Sequence, residues 1–454
     1  MSDIQARLRR EDLLEIFNSG VEAVQSDRLV ERTLRLQGPF LVVGDAEPIN
    51  LTDVNRIVVV GAGKAGAGMA RGVERVFRSE PEFASRIEGW INVPADCVEE
   101  LGRIHLHAAR PAGVNEPTEA GVRGAAEILR LVGSVGPRDI CLCLVSGGGS
   151  ALMPYPVEGI TLADKQKVTR FLAAAGANIE ELNTVRKHLS RVKGGGLAAA
   201  CKQGRLYTLI ISDVLGDPLD VIASGPTVSD TTTAEDALAV LNEYEAAPWG
   251  IPPVVFEVLS REFPSRRGGF AVPVYNQIIG NNATAVDAAG AAAERLGYSH
   301  AMISAAECEG PAEEIGRHLA EMALSMRDGG GPDCLISGGE PTVKLADASV
   351  RGKGGRNQQL ALAALESLLD DGGRNIALLS GGTDGEDGPT DAAGAFFDEE
   401  ILKIALSRGL APADFLARND AYHFFEPLDA LLKTGPTHTN VCDLRIVLVG
   451  RSTG

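Results

Sequence analysis

Basic residues are scarce in this chain: 43 Lys and Arg stand against 61 Asp and Glu, a formal charge of −18 over 454 residues. Such a balance repels phosphodiester backbones and anionic headgroups, which argues against nucleic acid or a membrane as partner. Aromatic residues make up only 5%, and no uncharged apolar run reaches the ~18 residues of a spanning helix. The opening MSDIQARLRREDLLEIF is charged and lacks the apolar core of a signal peptide, so a soluble cytoplasmic protein is expected. No CxxC pair occurs among the seven cysteines, Cys97, Cys141, Cys143, Cys201, Cys308, Cys334 and Cys442. Cys141 and Cys143 fall inside the apolar stretch DICLCLV, where reduced core thiols are expected instead of a zinc site.

Glycine is plentiful, with 53 residues in a chain that is 44% hydrophobic, and the length exceeds one typical core. Strand-like runs (IVVV, GWINVP, DICLCLV, LYTLIIS) alternate with helical stretches, which predicts βαβ units and a mostly parallel sheet. Residues 11–37 carry apolar positions at helical spacing and predict one or two helices packed on the first domain. The stretch from Glu243 to Gly269 holds Pro248, Pro252, Pro253, Pro264 and the cluster SRRGG, and the domain boundary is placed before it. The expected division is therefore 1–245 and 246–454, each an α/β unit with helices flanking its sheet. The second half alternates again, beginning with FAVPVYNQIIG and ending with DLRIVLVG.

Chemistry concentrates in loops that follow strands. RIVVVGAGKAGAGMA runs from an apolar strand into Gly61, Gly63 and Gly66 and then a helix start. Glycines there let the backbone approach a phosphate, and the helix N-terminus aims N–H groups at it. Lys64 interrupts the glycines with an ammonium. The turn also satisfies GxGxxG, but a dinucleotide site needs an acid about 20 residues on, at the end of the next strand. GWINVP ends without one, and Glu88 precedes it.

LVSGGGSALMPYP places Ser146, Gly147, Gly148, Gly149 and Ser150 after DICLCLV as an anion nest, without the GxSxG elbow of a nucleophilic serine. NTVRKHLSRVKGGG gathers Arg186, Lys187, His188, Arg191 and Lys193, either as a solvated helix face or as groups that meet an anionic substrate. Asp213 and Asp217 follow LYTLIIS; a carboxylate there can accept a hydroxyl proton or hold Mg²⁺. SGGEP, GKGGRNQQ and SGGTDGEDGPTDAAGA form further loops, with Arg356 at a helix start and Asp384, Asp387 and Asp391 spaced three and four apart. TGPTHTNVCDL puts His438 and Asn440 in a polar turn, where His438 is read as a loop-stabilising residue. A lysine, an arginine, several aspartates and many backbone N–H loops are what phosphoryl transfer requires.

Together GAGKAG, LVSGGGSALM, NTVRKHLSRVKGGGLA, SDVLGDPLDVIASGPT, SGGEPTV, GRNQQLAL, SGGTDGEDGPTDAAGA and TGPTHTNV resemble the two-domain glycerate 2-kinases, whose C-terminal domain is called MOFRL. The resemblance covers the chain from Ile57 to Val449 and extends to a tartrate-utilisation subgroup; members are often labelled hydroxypyruvate reductase. It implies a Rossmann-like N-terminal domain, a smaller α/β C-terminal domain, and an active site in the cleft between them. It further implies ATP and Mg²⁺, D-glycerate as acceptor and 2-phosphoglycerate as product. The family's essential lysine falls on Lys64 and its essential arginine on Arg356. Where many members carry HPxPD, this chain reads ARPAGVNEPT, with Arg110 in place of the histidine.

On this reading Lys64, Asp213 and Arg356 are catalytic. Gly61, Gly63, Gly66, Ser146, Gly147, Gly148, Gly149, Ser150, Lys193, Gly338, Gly339, Glu340, Gly382, Thr383 and Asn440 contact the nucleotide, and Asp217, Asp384 and Asp387 hold the metal. A homodimer is compatible with the sequence. The rival functions are an NAD(P)H-dependent hydroxypyruvate reductase and a non-catalytic sensor of a phosphorylated metabolite.

Overall fold

Ile57–Val60, the run ahead of GAGKAG, has no exposed surface and forms the strand Ile57–Ala62 inside a six-stranded sheet. The computed structural model describes residues 2–114, 116–261 and 269–450. The chain divides into two compact units, Ser26–Ile279 and a second made of Met1–Gln25 with Gly280–Gly454.

The first unit's sheet runs in the order Ile104–Arg110, Ile87–Pro94, Ile57–Ala62, Ile140–Val145, Arg205–Ile211 and Val274–Gly280. The first five strands are parallel. After Ile57–Ala62 the chain builds two strands on one side, then returns through the helix Glu119–Gly133 to set Ile140–Val145 on the other. The strand order reverses between those neighbours, and the crevice at their carboxyl ends is where sheets of this kind bind ligands. Cys141 and Cys143 are buried in Ile140–Val145, and burial raises both thiols, Cys143 to about 12. No disulfide joins any of the seven cysteines, and Cys141 and Cys143 are the core thiols that the apolar pattern predicts.

The proline-rich stretch is not a linker. Pro252 and Pro253 open the helix Pro253–Leu259, where a fixed φ and a missing N–H are tolerated, and Val255 and Val258 are fully buried. With helices Leu162–Ala174, Ile179–His188 and Ala234–Glu243 it encloses a satellite core around Val168, Leu172, Val185 and Leu241. FAVPVYNQIIG, read as the start of the second half, supplies the sixth strand of the first sheet. A division at 245/246 therefore falls inside the first unit. Pro264 and most of SRRGG lie outside the described residues.

The second unit begins with the helix Ser2–Ala23, whose stripe of Leu13, Ile16 and Phe17 is buried in the same core as Val286, Ala289 and Leu444. Gly20 allows the approach: a methyl there would lie 2.9 Å from Ala285 O. The helical spacing over residues 11–37 is thus divided, with Ser26–Thr33 in the first unit and Leu34–Gln37 a strand antiparallel to Phe40–Val43. An apolar stripe announces burial without naming the surface that buries it.

The second sheet runs His300–Ser304, Cys334–Gly339, Asp443–Val449, Ile376–Gly382, Gly394–Asp398, Leu431–Leu432. His300–Ser304 and Cys334–Gly339 are parallel, but Asp443–Val449 lies antiparallel between Cys334–Gly339 and Ile376–Gly382. The two-domain α/β architecture holds, and the mostly parallel pattern expected of both sheets is corrected here to a mixed sheet. The insertion brings the amino end of Asp443–Val449 beside the carboxyl ends of its neighbours, with Asp443 in register with both Gly339 and Gly382.

Helices Ala312–Gly329 and Arg356–Ser367 pack closely because Gly316 lacks a side chain; a methyl there would lie 2.2 Å from Leu360 O. Gly316→Ala should lower stability by about 1–3 kcal/mol, read as a lower guanidinium midpoint. An unchanged midpoint would mean that the helices part without strain.

Candidate active site

The two glycine turns of the first unit are bonded to each other at the point where the strand order reverses. Lys64 N–H donates to Gly147 O at 2.8 Å, Ser146 N–H to Ala62 O at 3.2 Å, and Ala65 N–H to Ser146 Oγ at 3.1 Å. A Cβ on Gly61 would lie 2.0 Å from Leu144 O, and one on Gly63 1.9 Å from Ser146 Oγ, so both positions exclude side chains. Gly148 takes a left-handed φ of 77° and turns the chain into the short helix Gly149–Leu152. A methyl on Gly148 would be 3.3 Å from Arg110 Nη2 and 3.6 Å from Lys64 Cγ, which puts both cationic side chains beside this turn. No side chain caps the twelve-residue helix Gly66–Phe77, leaving its N-terminus suited to an anion.

The basic segment sorts into two groups. Lys187 is buried and pairs with Asp220 at 3.2 Å and Asp230 at 3.9 Å, while His188 Nε2 lies 3.1 Å from Thr232 Oγ1. Arg191 lies over the Tyr155 ring at 5.1 Å. These three serve the fold. Arg186 and Lys193 instead converge on Ser150: Arg186 Nη2 donates to Ser150 Oγ, and Lys193 Nζ donates to the same oxygen at 2.6 Å and to Ser150 O at 2.8 Å. Burial lowers the pKa of Lys193 and Arg186, and Arg186 adds to the effect on Lys193. Nearby Lys165, buried with Nζ on Leu189 O at 3.0 Å, is lowered to about 7 by burial and by Arg186.

Asp213 stands just past the strand Arg205–Ile211, at the same sheet edge as the glycine turns. Asp217 follows in the same loop with a left-handed φ of 56°. Further along, Ala223, Ser224 and Gly225 are all left-handed, at 50°, 62° and 60°. Such a run stores strain unless its surroundings dictate it. Here they do: Ser224 Oγ meets Ser150 Oγ and Asn183 Oδ1, each at 3.1 Å, and Gly194 N–H donates to Ser224 O at 2.9 Å.

In the second unit Arg356 begins the helix Arg356–Ser367. Its Nε and Nη2 clamp Asp443 at 2.7 and 2.9 Å, and Nη1 reaches Glu340 at 2.9 Å. Burial opposes the charge of Arg356, but Asp443 and Glu340 outweigh it and raise its pKa. Three of the five N–H donors are committed, so two remain. Asp387, expected as a metal ligand, also has a structural task. It is 2% exposed, and its oxygens accept from Asn357 N–H at 3.0 Å and Gln358 N–H at 2.9 Å, capping the arginine's helix from outside the sequence of that helix. Burial lifts its pKa to about 7 against those bonds. Asp384, half-buried in the same loop, accepts from Glu386 N–H at 3.1 Å.

Several loop residues assigned to a ligand work within their own loops. Thr383 is fully buried, with Oγ1 donating to Cys442 O at 2.7 Å, and Asn440 Oδ1 accepts from Cys442 N–H at 3.2 Å. Cβ atoms on Gly338 or Gly339 would meet Asn282 Oδ1 or Glu309 Oε2 at 1.8 Å, so packing already demands glycine there. Sequence reasoning missed Asp443, which looks like the polar start of an apolar strand until register sets it between two glycine turns.

Among the described residues no three His, Cys, Asp or Glu side chains gather as a ready-made metal site. Hard oxygen donors are nevertheless present at the loops, as one or two carboxylates with phosphates and water suffice for Mg²⁺. No helix among the described residues is long and apolar enough to cross a membrane.

Two family models match the chain: the domain of unknown function DUF4147 over residues 12–260 and the MOFRL family over residues 333–443. A Danio rerio protein named glycerate kinase is 37% identical, covering 99% of this chain and 98% of its own. A protein of Agrobacterium vitis named putative hydroxypyruvate reductase is 39% identical, covering 87% of this chain and 100% of its own. The crystal structure of glycerate kinase from Thermotoga maritima matches with a TM-score of 0.84 at 35% identity, covering 98% of this chain and 100% of that one.

Lys165 offers a check on the buried cations. Its pKa falls from 10.5 to about 7 on folding, so between those values the unfolded chain binds the extra proton and stability rises with pH. Relative to Lys165→Met, the wild-type melting temperature should climb by several degrees from pH 7 to pH 10. A constant difference would mean that Lys165 stays charged when buried.

Proposed function

The chain belongs to the two-domain family that joins DUF4147 to MOFRL and includes glycerate kinases, and on that footing we propose that it transfers the γ-phosphoryl group of ATP to the 2-hydroxyl of D-glycerate. The observation that carries this reading is Lys64, set in a glycine turn that is bonded through its own N–H to a second glycine turn, at the reversal of the strand order.

Phosphoryl transfer asks a protein for position and charge more than for covalent chemistry. The N–H groups of Gly147 and Gly148 receive phosphate oxygens and the Lys64 ammonium balances their charge, while the N–H groups of Gly63, Lys64, Ala65 and Gly66 are spent within the two turns and on Asn92 O. Asp213 orients the acceptor hydroxyl and takes its proton. Arg356 meets the charge of the moving phosphoryl group with the two donors that Asp443 and Glu340 leave available. Mg²⁺ would supply charge neutralisation on the nucleotide phosphates, held by Asp217 in the first unit or by Asp384 in the second, while Asp387 already accepts two main-chain bonds. Asp443 and Asp387 position Arg356, one through its guanidinium and the other through its helix.

A reductase reading has one feature in its favour, the GxGxxG form of the same turn, and the name of the Agrobacterium vitis relative agrees with it. One experiment separates the two. Purified protein with D-glycerate, ATP and Mg²⁺ should give 2-phosphoglycerate by phosphorus NMR, and should leave NADH unchanged with hydroxypyruvate. NADH oxidation without phosphorylated product would overturn the kinase reading.

Lys64→Met should lower kcat by about 10²-fold or more without shifting the melting temperature. Asp387→Ala should remove about 1–3 kcal/mol of stability by leaving two buried N–H groups unbonded, and should lower kcat through the displaced arginine. Wild-type turnover in either variant would withdraw the role given to that residue.

A further inference from the structure

Arg186 and Lys193 aim at one neutral oxygen, an unusual use of two cations in a chain of charge −18. Each hydrogen bond around that oxygen has one direction. Ser224 Oγ donates to Asn183 Oδ1, so at its 3.1 Å contact with Ser150 it accepts, and Ser150 donates. Ser150 Oγ then has both lone pairs turned to Arg186 and Lys193 and its proton turned to Ser224. A hydroxyl so engaged is no nucleophile and has nothing left to offer a ligand. It is a peg that holds two cationic side chains.

The neighbouring basic residues make the contrast. Lys187 has Asp220 and Asp230, and His188 has Asp230 at 3.6 Å. Arg186, on the same helix, has no carboxylate in ion-pair contact among the described residues, and neither has Lys165. Arg186 is also only partly covered, and a single one of its five N–H groups is committed to Ser150. Burial lowers the pKa of all three cations, and Arg186 further lowers that of Lys165 and Lys193; an anion beside Arg186 would relieve each of them. The left-handed run at Ala223–Gly225 keeps Ser224 against the peg, so the arrangement is built before any ligand arrives.

We propose that Arg186, steadied by Ser150 and beside Lys193, binds the carboxylate of the acceptor. This rests on the glycerate reading given above and adds what selects the acceptor. A planar guanidinium fork matches a carboxylate in a way that an ammonium does not. Ser150 follows directly on the Gly147–Gly149 turn, to which the Lys64 N–H is bonded, so the carboxylate anchor adjoins the phosphate turn. In a 2-hydroxy acid the reacting oxygen sits on the carbon next to the carboxylate. Anchoring that carboxylate therefore presents the 2-hydroxyl and not the 3-hydroxyl.

The test compares wild type, Arg186→Gln and Arg186→Lys on D-glycerate and on D-glyceramide, which lacks the charge. Arg186→Gln should raise KM for D-glycerate about 10–100-fold, the range of a charged hydrogen bond, with KM for ATP within about threefold. On D-glyceramide the variant and wild type should nearly coincide. Arg186→Lys should recover part of the glycerate loss and release some 3-phosphoglycerate, visible by phosphorus NMR. A rise in KM for ATP in place of that for glycerate would overturn the proposal by assigning Arg186 to a phosphate. Equal losses on both acceptors would overturn it by making Arg186 structural. Thermal shifts with D-glycerate alone separate this from the kinase reading. If wild type fails to phosphorylate glycerate, that reading falls, yet a glycerate-induced shift lost in Arg186→Gln still supports the anchor. An equal shift in both proteins, or none in either, overturns it.

Discussion

Two strands that lie side by side end in two glycine turns, and those turns are joined by main-chain hydrogen bonds from Lys64 to Gly147 and from Ser146 to Ala62. The bonds require the backbones to approach within a distance no side chain permits, which is why Gly61 and Gly63 have no room for a methyl group. Everything else in the first unit is arranged about this junction. The sheet brings Asp213 to the same edge, the helix Gly66–Phe77 points its uncapped end there, and the basic segment sends two cations to the far side of the second turn. A chain with so many carboxylates has no net field to attract a phosphate, so the proposed site depends on fixed N–H groups and a few placed cations.

The second unit solves the opposite problem, since its arginine must stay charged and still while partly buried. Asp443 grips it with two oxygens, Glu340 with a third, and Asp387 secures the start of the helix that carries it. Burial raises the pKa of Glu340, and Asp443 and Asp384 add repulsion. Carboxylates crowded in this way tolerate one another because a cation lies among them. The acidity that sets the overall charge of the chain is thus partly a scaffold for a single guanidinium.

Much of this was legible from sequence, and the failures share a cause. A strand that runs into glycines and a helix is a local pattern, so the turns at Lys64 and at Gly147–Gly149 could be read directly. The two-unit α/β class followed from alternation of periods. Direction is different. Arg186, Lys187 and His188 are successive residues on a helix, each turned about 100° from the last, and only the packed structure tells which meets a carboxylate and which does not. Asp384 and Asp387 look alike in a Gly-rich loop, but one is half-buried and the other is fully covered under a helix end. Asp443 depends on an antiparallel insertion that no local pattern encodes. The proline cluster misled because a proline that opens a helix and a proline that breaks a chain have the same letter.

The helix Ser2–Ala23 packs into the unit whose remaining residues start at Gly280, so one unit is sewn into the sequence of the other. On the ribosome this helix emerges before Ser26–Ile279 and its sheet after it. At ordinary rates of synthesis the intervening segment takes roughly 10–50 s to make. Over that interval Leu13, Ile16 and Phe17 have no core to enter, while Ser26–Ile279 can already close on itself. The nascent chain must shield an orphaned apolar stripe for far longer than a domain needs to fold, and this is the stage at which a chaperone would find it.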